Sequence, residues 1–171
     1  LANSNYRTLK ERNKMKKRID KNLFRLDYNV VLKRIDNATG EILDVETIHN
    51  TIVNTGLNLV RDFLGDVSVN APKYIAIGET ATAVQNTDTT LGSEAERELA
   101  SIDVVTDYQV EFSKTFTFGS GVSYAIEEVG LFDSATASGS TMWNRAIASS
   151  TKNVDSDTDL DVTVTITVAR S

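Results

Sequence analysis

Leu160-Asp161-Val162-Thr163-Val164-Thr165-Ile166-Thr167-Val168 alternates without a break. Successive side chains leave a strand on opposite faces, so Leu160, Val162, Val164, Ile166 and Val168 point one way and Asp161, Thr163, Thr165 and Thr167 the other. Rich in β-branched residues, the run predicts a half-buried antiparallel strand with one face on a core and one in water. A chain that ends its pattern this way needs further strands to supply that core.

Working back toward the N-terminus, the same period recurs. Met142–Ile147 predicts a short strand, and Ser134-Ala135-Thr136-Ala137-Ser138-Gly139-Ser140 a polar turn before it. Tyr124–Phe132 predicts a strand entered through Gly119-Ser120-Gly121. Residues 103–118 alternate best at Val110, Phe112, Phe116 and Phe118. Tyr74-Ile75-Ala76-Ile77 predicts a strand closed by Gly78, and the Thr/Ala/Gly/Asn-rich loop over 79–93 is long for a compact domain, which makes it a candidate contact loop. Nearer the N-terminus, Tyr28, Val30 and Leu32 alternate up to the turn Asp36-Asn37-Ala38-Thr39-Gly40, and Ile42, Val45 and Ile48 follow it, predicting a hairpin over 27–50. One segment has another period. Over residues 55–64, Leu57, Val60, Phe63 and Leu64 share a helical face, Asn54 or Thr55 can cap the start, and Gly65 offers a left-handed stop. Seven or eight strands, one short helix and regular turns predict a mainly β fold, an antiparallel β-sandwich or partly closed barrel.

Charge divides the chain of 171 residues unevenly. Residues 1–25 hold nine basic residues (Arg7, Lys10, Arg12, Lys14, Lys16, Lys17, Arg18, Lys21, Arg25) against Glu11 and Asp20, a net +7. The other 146 residues carry nine basic and twenty-two acidic ones, a net −13, giving −6 for the whole. A basic N-terminal arm over 1–25 on an acidic body over 26–171 is the expected organisation, with the arm as an interaction tail and a short helix from the spacing of Leu9, Met15, Ile19 and Leu23. The arm lacks the interleaved aromatic residues of a single-strand binder, so docking on a neighbouring protein is preferred to nucleic acid. No apolar run reaches the length of a membrane span, and the N-terminus lacks the apolar segment of a signal peptide.

Most catalytic chemistry lacks its residues. The chain has one His and no Cys, and no G-x-S-x-G elbow. His49 has no evident orienting partner and is expected to be structural or superficial. Glu127 and Glu128 are adjacent on a strand, so they face opposite ways and cannot form an acid–base pair. Asp155, Asp157 and Asp159 open like a calcium loop, but Leu160 stands where Gly is needed and Ile166 where a bidentate Glu is needed. They are expected to form an acidic solvated turn and remain only weak metal candidates. No cofactor is expected.

An ordered series of motifs runs through the body: Tyr74–Gly78; Leu91, Glu94 and Arg97 in L-x-x-E-x-x-R; Ala125-Ile126-Glu127-Glu128-Val129-Gly130-Leu131-Phe132-Asp133; and Asn144-Arg145-Ala146. Over about residues 45–169 this series resembles the small β-domains of tailed-bacteriophage virion proteins of the tail-collar fibre, baseplate and head-decoration type. The resemblance implies a structural virion component assembled in the bacterial host cytoplasm. It implies association with copies of itself, for instance as a trimer, and docking on a major capsid, neck or tail protein, without catalysis. It also implies a structural ion pair drawn from Glu94, Arg97, Glu128 and Arg145, with the arm basics as docking residues. Such fibres carry a long shaft after the domain, whereas here Ser171 follows the last strand, which tilts the expectation toward decoration or an accessory role. The alternative is a carbohydrate- or surface-binding sandwich module, which would need an exposed aromatic platform around Trp143 or the scattered tyrosines.

Overall fold

The alternating run at the C-terminal end is the centre of one of two sheets. The structure, a computed structural model, describes residues 24–106 and 108–170. Ten strands and one helix follow in the order β1 (Phe24–Asp36), β2 (Ile42–His49), β3 (Thr51–Ile52), α1 (Asn54–Leu64), β4 (Tyr74–Gly78), β5 (Glu94–Leu99), β6 (Ser101–Thr106), β7 (Gln109–Phe116), β8 (Ser123–Phe132), β9 (Met142–Asp155) and β10 (Thr158–Arg170). Sheet A has the order β2-β1-β10-β7-β6 and sheet B the order β3-β9-β8-β4-β5, every pairing antiparallel. The fold is therefore a β-sandwich with one short helix.

The core follows from the registers. β10 lies between β1 and β7, with Val30 opposite Val164 and Phe112 beside it, so one face of three strands carries Val30, Leu32, Phe112, Phe116, Leu160 and Val162, all buried. Sheet B answers with Ile75 and Ile77 from β4 and Ile126, Val129 and Leu131 from β8. Burying each of these side chains stabilises the fold by about 1.5–3 kcal/mol.

Sheet B is also covered on its outer face. A second cluster there joins Val53, Ala76, Leu91, Phe132 and Met142. The register explains it: Val129 and Leu131 face the inter-sheet core, so Glu128, Gly130 and Phe132 face outward, where Leu91 from the 79–93 loop meets them. Gly130 has no room for a side chain: a Cβ would lie 2.8 Å from the Phe132 ring and 3.0 Å from Leu91.

Several expected features differ in the structure. Phe24 and Arg25, assigned to the arm, belong to β1. Glu94–Leu99 is a strand of its own, and residues 103–118 are divided between two strands, β6 and β7. The strand expected over Met142–Ile147 runs on to Asp155, because it resumes pairing at Lys152 after an irregular stretch opposite Glu127. In α1 no side chain caps the start: Val53 holds the N-cap position, and the Thr55 hydroxyl donates instead to the Met142 carbonyl at 2.7 Å. Gly65 is not left-handed; that turn falls on Asp66, φ 57°. The helix also presents another face than expected. It buries Gly56 and Leu59, while Leu57, Phe63 and Leu64 stand in solvent at 50%, 55% and 75% exposure. Gly56 sets this rotation, because a methyl there would run into the Trp143 carbonyl oxygen.

Candidate functional site

Two arginines, each holding a loop, occupy the outer face of sheet B. Arg145 rises from β9 and is 3% exposed. Its guanidinium meets Glu128 of β8 at 2.7 and 2.8 Å and Asp88 of the 79–93 loop at 2.7 Å. Glu128 is fully buried, and its other contacts are backbone N–H groups of the same loop: Ser93 donates to Oε1 at 2.9 Å and Gly92 to Oε2 at 3.2 Å. Gln85 N–H donates to Asp88 at 2.9 Å. Burial tends to raise the Asp88 pKa, but that N–H and the Arg145 charge outweigh it and hold the carboxyl below its ordinary value. Burial likewise works against the Arg145 charge, and the two carboxylates reverse the effect, so its pKa is raised. The pairing therefore favours the ionised forms of Asp88 and Arg145. Gly78 is part of the same arrangement, since a Cβ there would lie 2.5 Å from the Ser93 carbonyl oxygen and 2.7 Å from Glu128.

Arg97, on β5, performs the matching task for the 133–141 turn. It pairs with Glu94 through two contacts of 2.6 and 2.9 Å, and Nη1 donates to the Ser134 carbonyl at 3.0 Å and to Ser140 Oγ at 2.9 Å. The guanidinium carbon sits 3.7 Å from the Phe132 ring centroid, a cation–π contact on a desolvated face. The four residues expected to form an ion pair thus form two, Arg97 with Glu94 and Arg145 with Glu128. The loop expected to be a contact loop is held against sheet B by Leu91 and the Arg145 network. The motif series encodes this outer cover and offers no nucleophile or open acid–base pair.

A third charged cluster had no counterpart in the sequence reading. Lys152 of β9 is 3% exposed and reaches Glu46 at 2.8 Å and Asp44 at 3.4 Å, both on β2 of the other sheet. Asp44 also pairs with Arg34 at 2.8 Å, and Arg34 donates to the Asn153 carbonyl at 3.1 Å. Burial raises the Glu46 pKa, yet Lys152 and the Ser149 N–H more than offset this and the value falls below normal. The cluster fastens the two sheets along one margin. Its only sequence signal was a Lys inside an otherwise small and polar stretch.

The remaining candidates do not converge on a site. Arg7 to Lys21 of the basic arm lie outside the described residues; Arg25 is exposed and pairs with Asp27 at 2.8 Å. His49 is exposed at the end of β2. Asp155 and Asp157 form the tight turn between β9 and β10, with Asp157 N–H donating to Asp155 at 3.0 Å, while Asp159 is the second residue of β10. Among the described residues no three His, Asp or Glu side chains gather as a metal would need. Trp143 is buried, which removes the only Trp from any exposed sugar platform.

One concave surface is apolar throughout. At the end of the sandwich where β1 begins, a groove of about 400 Å³ is lined by Leu26, Tyr28, Phe63, Leu64, Trp143, Val168 and their apolar neighbours. A β-bulge directs Trp143 there, as the extra residue between Met142 opposite Phe132 and Asn144 opposite Leu131. Burial pushes the Tyr28 hydroxyl pKa well above normal. In class, then, the chain is a two-layer antiparallel sandwich with a clamped outer face and an apolar end. Compared with known protein families, curated proteins and solved structures, it matches none.

Proposed function

We propose that this chain is a structural protein of a tailed-bacteriophage virion. It is an oligomeric surface component that docks on the capsid as a decoration protein, or on the collar or tail as a fibre or baseplate accessory, and it works by contact without catalysis. The residues behind the resemblance favour this reading, because Glu94, Arg97, Glu128, Phe132 and Arg145 are all engaged in fastening loops to a sheet. A domain whose most distinctive side chains serve its own rigidity is suited to be a building block.

The observation that carries the proposal is the edge of sheet A that β6 leaves unpaired among the described residues. Every residue of β6 is exposed, with Ile102 at 49%, Val104 at 76% and Val105 at 45%, and Leu99 beside it at 56%. An edge strand that exposes backbone donors and acceptors together with apolar side chains is a template for another chain, and monomeric proteins normally blunt such edges with charge. Contact with a second copy or a larger shell protein would cover it. Two measurements test the reading. Light scattering should give a defined oligomer that Val104→Lys returns to a folded monomer, and mass spectrometry of purified particles of the encoding virus should find the chain in fixed stoichiometry. A wild-type monomer at all concentrations, absent from particles, would overturn it.

A further inference from the structure

The edge strands of the sandwich are not equally protected. Among the described residues β2 and β6 are the edges of sheet A, and β3 and β5 those of sheet B. β3 is two residues long, β5 carries Glu94, Glu96 and Glu98, and β2 carries Asp44 and Glu46. Short length and charge are the usual defences of an edge against a further strand. β6 has one charged residue, Asp103, among Ser101, Ile102, Val104, Val105 and Thr106, and all six are exposed. Its apolar side chains also continue the core. Val30, Val164 and Phe112 are buried and stand in one cross-strand row, and that row ends on Ile102, 49% exposed. Another strand that brings an apolar side chain to the same place would complete it.

We propose that this strand is β6 of a second copy, paired antiparallel about a two-fold axis with Ile102 opposite Ile102 of that copy. The inference rests on the reading of β6 as the contact edge and adds to it the partner and the register. A two-fold antiparallel pair must place one residue opposite its own counterpart, because facing residues share a side of the sheet. The regular part of β6 is short. At one end the Ala100 N–H donates to the Lys73 carbonyl at 2.8 Å, where the chain crosses from sheet B. At the other the ladder to β7 is interrupted between Val104 and Thr106. Ile102 and Asp103 are therefore the residues that can lie on the axis with a regular neighbour on each side. Charge decides between them. Asp103 already faces Glu111 on β7, so an axis at Asp103 would set these two and their counterparts in one row of carboxylates. Like charges directly opposite are destabilising, the more so between bodies that each carry a net −13 over residues 26–171. An axis at Ile102 puts Asp103 opposite Ser101, whose hydroxyl can donate to the carboxylate, and symmetry repeats the contact. On the other face it gives the row Val30, Val164, Phe112, Ile102 and then the same residues in reverse, so that one core row runs through both copies. An interface of this kind uses one surface twice and closes at two copies.

The chain has no Cys, so single thiols report the register. Facing residues of an antiparallel pair have Cβ atoms about 4.5–5.5 Å apart, close to disulfide range. In full-length Ile102→Cys, held above the wild-type dimer Kd, mild oxidation should link most chains as a covalent dimer, read by non-reducing mass spectrometry. In Asp103→Cys and Val104→Cys the two thiols are offset by about 7 and about 14 Å along the strands, and the yield should be about ten-fold lower. Ser101 gives a second reading without a thiol. Ser101→Asp puts a carboxylate opposite Asp103 and should raise the dimer Kd about ten-fold in sedimentation equilibrium, whereas Ser101→Lys should lower it. A best yield from Asp103→Cys or Val104→Cys, equal yields from all three, or equal Kd values for the two Ser101 variants would overturn the register. A wild-type chain that sediments as a monomer at every concentration, or as a trimer, would overturn the two-fold pair. These outcomes are separate from particle membership. A monomer or trimer found in particles would remove this pairing and leave the function proposed above, and a dimer of this register absent from particles would do the reverse.

Discussion

Arg145 shows how costly a single residue can be to lose when it balances buried charge. Removing it leaves Glu128 fully buried with its charge uncompensated, and breaking a buried pair from one side costs about 3–5 kcal/mol. Arg145→Leu is therefore expected to lower stability by that amount in denaturant unfolding. Arg145→Leu/Glu128→Leu should recover much of the loss, because two apolar side chains leave no lone charge behind. Asp88 makes the same network sensitive to acid. Its folded pKa lies below the ordinary 3.8, so the unfolded state takes up the proton first as the pH falls. The stabilisation from Asp88 is complete above about pH 4 and is lost as the pH drops through the folded value. Urea midpoints at pH 5, 4 and 3 should fall more steeply for the native protein than for Asp88→Asn. The identities of these residues could be picked out in the sequence, but their pairing could not. Arg97 and Arg145 were both available to both glutamates, and only the register of β8 against β4 and β9 assigns each to its own loop.

Among the elements, those whose side chains divide cleanly between core and water were readable. β10 and β1 announce themselves by period, whereas β4 and the second half of β8, buried on both faces, were marked by apolar residues, Ile75 and Ile77 in one and Val129 and Leu131 in the other. Leu131 stands in the inter-sheet core with no exposure, so Leu131→Asp buries an unpaired charge and should abolish cooperative unfolding, seen as loss of the thermal transition. β5 escaped notice because Glu94-Ala95-Glu96-Arg97-Glu98-Leu99 has no β-branched residue and its charges suit a helix equally well. β9 was cut short because Ala148-Ser149-Ser150-Thr151 interrupts the ladder, and the strand resumes on a buried Lys that alternation alone would place in water. In α1 the period was read correctly and the orientation was not. A helix of eleven residues is placed by its closest approach, here Gly56 on β9, rather than by the sum of its apolar residues. Substitutions along it should show this. Leu59→Ala should cost about 2–5 kcal/mol and Leu57→Ser within about 0.5 kcal/mol, compared by thermal or urea unfolding.

At the scale of the molecule, the two sheets are held in different ways at different places. Apolar burial joins them through the middle, and Lys152 with Glu46 and Asp44 joins them along the β2–β9 margin. Among the described residues the end where β1 begins is apolar, while the other end carries two polar turns that touch through Asn37 N–H and the Asp157 carbonyl at 3.0 Å. Those turns carry little of the core, so a short epitope inserted after Gly40 should leave the unfolding midpoint nearly unchanged and be reached by antibody on the intact protein.

The pairing of β1 with β10 has a mechanical consequence. Phe24 lies opposite Arg170, so the chain enters and leaves the sandwich side by side, and both strands run thirteen residues to the far turns, about 40 Å away. A load drawn between the two ends would peel this pair one rung at a time rather than shear all its hydrogen bonds together, and the domain should yield at low force. A protein gripped at that shared root and left free at the tip would bear pressure along its length far better than tension between its ends.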